Sequence, residues 1–193
     1  MKKITRGDLL SLEEYAAKRN EIRANAMVHK SKRRLQIGPN AFLYFEDFVT
    51  MHYQVQEMLR IERIFESSEI EHELGAYNPL IPDGSNWKAT FMLQYDDVST
   101  RRAALAKLLD IEDKIWVEVE GCQRVFAIAN EDIDRKDPEK TSSVHFLRFE
   151  LPNDAVLAVK MGAEIKFGID HENYKHEVVV PDETRAALAE DLD

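Results

Sequence analysis

The spacing most typical of a metal site joins Glu69 and His72, which stand three positions apart. On a helix this spacing places both side chains on one face, as in the Glu-x-x-His pairs of carboxylate-bridged di-iron bundles. Those bundles need two such pairs and further glutamates from two more helices, whereas this chain has one pair. A mononuclear site is the second interpretation, because imidazole and carboxylate ligands suit iron, zinc or manganese.

A mononuclear site would need ligands from distant parts of the chain. His72 could bind a metal together with Glu57 or Glu62, or with the C-terminal histidines His171 and His176. Short ligand spacings also arise by chance, and glutamates at helix ends are commonly solvated. The sequence therefore predicts no cofactor and leaves a mononuclear metal as the alternative.

Three glutamates, Glu46, Glu57 and Glu62, are candidates for acid–base catalysis because they lie in an amphipathic stretch. On one helix, Glu46 and Glu57 would stand roughly 16 Å apart, so they could not share a proton. Arg60 and Arg63 could instead bridge these carboxylates on a solvated face. A small metal-dependent or acid–base enzyme using Glu57, Glu62 and His72 is thus the alternative function.

Other catalytic signatures are absent from the sequence. The seven glycines form neither a dinucleotide-binding nor a P-loop motif, and no GxSxG nucleophile motif occurs. Cys122 is the single cysteine, so the chain can form no internal disulfide and no cysteine-rich metal site.

Charge is distributed unevenly along the 193 residues, whose net charge is −10. Residues 1–34 carry a net +6, and the remainder carries −16. The basic run 30–34 has no interleaved aromatic residue for stacking on bases, so we expect it to pack on the acidic body rather than on nucleic acid. No uncharged apolar run is long enough for a membrane span, so we expect no membrane partner and a cytoplasmic location.

The strongest periodic signal predicts one long amphipathic helix over about residues 45–66. Apolar side chains recur there at three- and four-residue steps, and polar side chains fall on the opposite stripe. An earlier helix begins near Ser11, because Ser11 and Glu14 have the spacing of a capping box. Shorter helices are predicted over 101–109, 152–161 and 181–192.

The second half of the chain predicts strands. Six short runs are rich in β-branched and aromatic residues, most of them with period-two alternation. They cover residues 88–95, 115–120, 123–129, 144–151, 164–169 and 176–180. The runs on either side of Gly121 and Cys122 have the separation of a β-hairpin, and residues 132–143 are predicted as an exposed loop.

These elements predict an α+β fold in a single domain, residues 1–193. Residues 1–75 form its mainly helical part, and residues 86–193 form its mainly sheet part with short helices. The N-terminal helices, including the long amphipathic one, are expected to pack on a mostly antiparallel sheet of five to seven strands.

Three segments in combination resemble the bacterial domain-of-unknown-function family 3501. They run from Tyr44 to Glu62, from His72 to Pro82 and from Gly168 to Tyr174. The resemblance covers nearly the whole chain and carries no catalytic role across. It implies a context, since similar proteins tend to be encoded beside a rubrerythrin-like protein and an iron–sulfur oxidoreductase related to heterodisulfide reductase subunits.

The function expected from this context is that of a cytoplasmic accessory or interaction protein of a redox or oxidative-stress system, without a redox centre of its own. The expected partners are the rubrerythrin-like protein and the iron–sulfur oxidoreductase, which would dock on the long helix and the acidic body. The sequence does not fix whether the chain also forms a homo-oligomer.

Overall fold

In the computed structural model, residues 2–129 and 139–193 are described, and they contain six α-helices and nine strands. The helices are α1 (Leu12–Ser31), α2 (Phe48–Glu62), α3 (Ser67–Tyr77), α4 (Val98–Lys107), α5 (Asn153–Lys160) and α6 (Asp182–Ala189). The strands are β1 (Arg34–Ile37), β2 (Ala41–Glu46), β3 (Asn86–Leu93), β4 (Ile115–Val119), β5 (Val125–Phe126), β6 (Ile128–Ala129), β7 (Val144–Glu150), β8 (Ile165–His171) and β9 (Tyr174–Val179). Residues 132–138 of the predicted loop lie outside the described residues.

The strands form two antiparallel sheets, ordered β1-β2-β3-β7-β6 and β5-β4-β8-β9. Their inner faces pack together to make the main core. The ring of Phe167 on β8 lies 5.2 Å from the rings of Phe45 and Phe149 and 6.0 Å from that of Trp87, centroid to centroid. The predicted α+β class is confirmed, but the strands divide between two sheets where one was expected.

The long helix begins at Phe48 rather than near residue 45, because the residues before it form β2. Every β2 residue except Tyr44 is buried, and a strand covered on both faces carries no alternation that could distinguish it from a helix. Asp47 then starts the helix, since its Oδ1 accepts a hydrogen bond from the backbone N–H of Thr50 at 2.8 Å. The helix ends at Glu62, before Arg63 in the left-handed conformation, rather than at residue 66.

Most of the other predicted elements are found with small shifts, but the predicted strand over 123–129 divides into β5 of the smaller sheet and β6 of the larger sheet. Ser11 and Glu14 form the predicted capping box of α1. The hairpin around Gly121 is present, with Val117 of β4 opposite Val125 of β5. Helix α3 follows α2 as a separate helix, and none of the helices in the described ranges could span a bilayer.

The turn between β1 and β2 ties the larger sheet to the smaller one. The hydroxyl of Tyr174 on β9 donates to the carbonyl of Ile37 at 2.8 Å and accepts the N–H groups of Asn40 and Ala41 at 3.0 and 3.1 Å. Gly38 has a φ of 71°, and a Cβ there would lie 2.7 Å from the Tyr174 hydroxyl. Only glycine fits this turn without displacing the tyrosine.

A second, smaller core joins the helices. Met51, Val55 and Leu59 project from α2 and pack with Leu74 of α3 and with Ile81. The three positions on α2 recur at four-residue steps, so the predicted two-sided character of α2 is correct for its core-facing stripe.

A buried charge cluster connects the end of α1, the start of α2 and the segment after α6. Arg33 is 2% exposed and donates two hydrogen bonds to the carboxylate of Asp191, at 2.8 and 2.5 Å. Its Nε lies 2.9 Å from Oδ2 of Asp47, and His29 Nε2 lies 2.5 Å from the same oxygen. Burial raises the pKa of Asp191 from 3.8 to about 6, although Arg33 opposes the rise.

We predict that Arg33→Met lowers the free energy of unfolding by about 3–5 kcal/mol, because two buried carboxylates lose their cation. Without Arg33 the pKa of Asp191 rises further. A pKa that is raised in the folded state means that the folded protein binds the proton more tightly than the unfolded chain does. The free energy of unfolding therefore falls as the pH rises from 3.8, the ordinary pKa of the carboxyl group, to the raised pKa of Asp191. Urea unfolding should therefore show a larger loss at about pH 7.5 than at about pH 5.

The matched control is Arg34→Met, because Arg34 is exposed and lies over the ring of Phe42. We expect it to change stability by less than about 1 kcal/mol. Equal losses for the two variants, or no pH dependence for Arg33→Met, would contradict the role given to the cluster.

Candidate functional site

Glu57 lies between α1 and α2 rather than on a solvated face. Its Oε1 accepts hydrogen bonds from the Tyr15 hydroxyl and Arg19 Nε, both at 2.8 Å, and its Oε2 accepts one from Arg19 Nη2 at 2.8 Å. Arg60 contributes a weaker pair at 3.3 Å. Arg60 was a predicted partner, whereas the other predicted partner, Arg63, ends the helix and is replaced by Arg19.

These donors define what Glu57 can do. The hydrogen bonds from Arg19, with those from Arg60 and Tyr15, lower the pKa of Glu57 from 4.5 to about 2. Its carboxylate therefore stays ionised near neutral pH and has no proton to give as a general acid. These contacts give Glu57 a structural role, because they join α2 to Tyr15 and Arg19 of α1.

Glu62, Glu69 and His72 are all exposed, at the end of α2 and on α3. Glu62 and Glu69 belong to a patch that we call the α2–α3 surface. It consists of Ile61, Glu62, Phe65, Glu66, Glu69 and Glu71. Within the described part of the chain, its four carboxylates make no hydrogen bond and no ion pair, and Ile61 and Phe65 are 56% and 69% exposed.

The C-terminal histidines lie on the hairpin of β8 and β9. His171 is buried, with Nε2 3.0 Å from the carbonyl of Leu109 and Nδ1 accepting the N–H of Asn173 at 3.1 Å. His176 packs edge-on against Tyr174 with a centroid distance of 4.7 Å. Among the described residues, no three His, Cys, Asp or Glu side chains are grouped so that they could hold a metal ion.

Two further residues with potentially reactive side chains, His52 and Cys122, lie outside the sites above. His52 stacks on Phe48, and its Nε2 lies 2.8 Å from the carbonyl of Asp8. Cys122 is partly exposed, and burial together with the charge of Asp154 raises the pKa of its thiol. A raised pKa disfavours the reactive thiolate.

Glu46 is separated from the other candidates because it belongs to β2 and faces a cavity on the outer face of the larger sheet. This sheet-face cavity has a volume of about 460 Å³. Its walls come from α1, α2, the end of α3 and the segment after it, and from β2, β3 and β7. The lining residues are Met27, Lys30, Arg33, Tyr44, Phe45, Glu46, Thr50, Met51, Gln54, Tyr77, Leu80, Thr90, Met92 and Phe146. A smaller cavity of about 280 Å³ adjoins it and shares Glu46, Leu80 and Phe146.

Within the described residues, the carboxylate of Glu46 makes one hydrogen bond. It is 7% exposed, and its Oε1 accepts the hydroxyl of Thr90 at 2.7 Å. Lys88 stands opposite it in the register, yet the Lys88 ammonium donates to the carbonyl of Pro79 at 2.6 Å. In residues 2–129 and 139–193, Oε2 of Glu46 makes neither a hydrogen bond nor an ion pair within 4.0 Å.

The remaining cations on the cavity wall have partners within the chain. The Arg33 guanidinium is held by Asp47 and Asp191. Lys30 lies over the ring of Tyr53, 5.3 Å from its centroid. The cavity therefore presents one buried carboxylate with an unused oxygen in mainly apolar surroundings.

Sequence reasoning missed the sheet-face cavity. Thr90, Met92 and Phe146 alternate with core residues along β3 and β7, so the period-two pattern could have placed them on the outer face. In β2, Glu46 was assigned to the predicted helix and Tyr44 to no element, so neither was aligned with the outward residues of β3.

Comparison with known proteins gives a family and a solved relative. A family model described as "Protein of unknown function (DUF3501)" matches residues 3–192. A crystal structure of a protein of unknown function from Burkholderia pseudomallei K96243 is similar, with 46% sequence identity, 100% coverage of both chains and a TM-score of 0.95. No curated protein matches the chain.

We predict that Glu57→Gln lowers the free energy of unfolding by about 1–3 kcal/mol near neutral pH, because the ion pair with Arg19 is lost. Since the folded pKa is depressed to about 2, the stabilisation is present above about pH 4.5 and disappears as the pH falls toward 2. The difference between the wild type and the variant should shrink over this range in chemical unfolding experiments.

Glu62→Gln serves as the matched control, because Glu62 is exposed and unpaired within the described residues. We expect its effect to stay within about 0.5 kcal/mol at every pH. A Glu57→Gln penalty that is constant from pH 7 to about 3 would show that the carboxylate is not stabilised by its charge.

Proposed function

The chain belongs to the DUF3501 family of proteins of unknown function, and we propose that it is a cytoplasmic accessory protein of a redox or oxidative-stress system. In this proposal it docks other proteins through the α2–α3 surface. It supplies a binding surface and leaves electron transfer to its partners.

The observation that carries the proposal is the combination of unpaired charge and exposed apolar side chains. Glu62, Glu66 and Glu69 have no partner cation in the described residues, although basic side chains elsewhere in the chain are paired with carboxylates. Phe65 and Ile61 stand among them, largely exposed. A carboxylate rim steers an oppositely charged partner, and a central aromatic side chain supplies contact energy.

The docking surface differs from the one expected from the sequence. The long helix was expected to present its carboxylates outward, but Glu57 is engaged by Arg19 and Tyr15 inside the helix layer. Among the described residues of α2 and α3, the carboxylates without a partner lie in the last turn of α2 and on α3. The basic N-terminal part is likewise engaged internally at Lys32 and Arg33, which pair with Glu183 and with Asp47 and Asp191. This pairing supports the expectation that nucleic acid is not a partner.

Charge complementarity requires a partner with a basic face. The partners we propose are those that the family resemblance implies, namely the rubrerythrin-like protein and the iron–sulfur oxidoreductase. The electron carriers are assigned to them because iron–sulfur clusters are held by several thiolates, and this chain has one cysteine.

We predict that the unmodified protein retains at least one of these two partners in a pull-down at low ionic strength. The double variant Glu66→Lys/Glu69→Lys should weaken the interaction about tenfold, because it reverses two charges at the rim. Raising the salt concentration should weaken wild-type binding and reduce the difference, since exposed charges are screened.

The matched control is Glu172→Lys/Glu177→Lys, which makes the same change in net charge at exposed positions of the smaller sheet. It should bind as the wild type does. Phe65→Ser should also weaken binding about tenfold while leaving stability nearly unchanged. Equal binding by both double variants, or capture of neither partner at low salt, would refute the proposal.

A further inference from the structure

We propose that the sheet-face cavity is a binding site for a small organic cation, namely a molecule with an apolar body and a protonated amine or amidine. This proposal is independent of the docking function, because no residue of the α2–α3 surface lines the cavity; α3 contributes to it through its last residue, Tyr77.

The first argument for a cationic ligand is the buried carboxylate of Glu46. Glu46 is 93% buried, and Thr90 satisfies only one of its carboxylate oxygens. The other oxygen lacks any ion-pair partner in the described ranges, although Lys88 stands directly opposite on β3 and points to the Pro79 carbonyl instead. A buried carboxylate without a cation is costly. An N–H donor with positive charge is the ligand group that would best satisfy it.

The second argument is the apolar and aromatic lining of the cavity. Three methionines, Met27, Met51 and Met92, face it together with the rings of Tyr44 and Phe146. Methionine adapts to irregular apolar shapes, and aromatic faces attract cations. The wall therefore suits an apolar body that carries a positive group toward Glu46.

The third argument is the volume of the cavity. Small-molecule pockets usually measure about 300–1,000 Å³, and they are mainly apolar with a few well-placed polar groups. The sheet-face cavity, at about 460 Å³, has these properties. The adjoining cavity of about 280 Å³ gives room for a longer molecule to extend past Glu46, which borders both.

Phenethylamine and its neutral counterpart 2-phenylethanol test the charge requirement. We expect the wild-type protein to bind the amine at least tenfold more tightly than the alcohol in a titration by NMR or calorimetry. With methionine methyl groups labelled with ¹³C, the amine should shift the signals of Met27, Met51 and Met92. The signal of Met161, which is 83% exposed and outside the cavity, should stay in place.

The variant Glu46→Gln should lower the affinity for phenethylamine at least tenfold without changing the affinity for the alcohol. Glu118→Gln, a matched change on the smaller sheet, should leave both affinities unchanged. The methyl-shift measurement needs no variant, so it decides the matter even if Glu46→Gln fails to fold.

Three results would overturn the proposal. The first is equal affinity for the amine and the alcohol, and the second is binding that shifts Met161 but none of the three cavity methionines. The third is no binding of phenethylamine at concentrations up to about 10 mM, since a weaker site would confer no useful recognition. Loss of partner capture with intact amine binding, or the reverse, separates this proposal from the docking function.

Discussion

The buried guanidinium of Arg33 is the constraint on which the rest of the structure depends. It compensates Asp191 near the C-terminal end of the described chain and Asp47 at the start of α2. Because a buried charge without a partner is costly, this pairing favours the observed arrangement of the three chain segments. The same arrangement fixes the direction in which α2 leaves β2, since Asp47 both pairs with Arg33 and caps the helix.

The position of α2 determines what the two candidate sites can be. One stripe of the helix packs in the smaller core, and Glu57 clamps it to α1. The helix layer therefore covers the outer face of the larger sheet without filling the space above it, and that space is the sheet-face cavity. The last turn of α2 extends beyond this packing and, with α3, carries the unpaired carboxylates. The two sites thus arise from the same helix but face different surroundings.

Much of the fold could be predicted from the sequence, and the errors have physical causes. Period-two alternation found the strands of the second half, and the Ser11 capping box found the start of α1. The strand from Ala41 to Glu46 was missed because it is buried on both faces. Because of that error, Glu46 was predicted to lie on a helix, and its position in the wall of the sheet-face cavity was not predicted. The partners of Glu57 and Arg33 could not be found either, because Arg19 and Asp191 are brought to them only by tertiary packing.

The location of Asp191 has a consequence for the order of folding events. Arg33 and its hydrogen-bonding partner Asp191 are separated by 158 positions in the sequence. Trp87 also has a distant partner, since its indole N–H donates to the carbonyl of Leu188, 101 positions later, at 2.8 Å. Contacts between residues so far apart in sequence are slow to form, because a long loop must close before they contribute. The helices can therefore form from local contacts first, and the docking of residues 188–191 on the N-terminal half is expected to be a late step of folding.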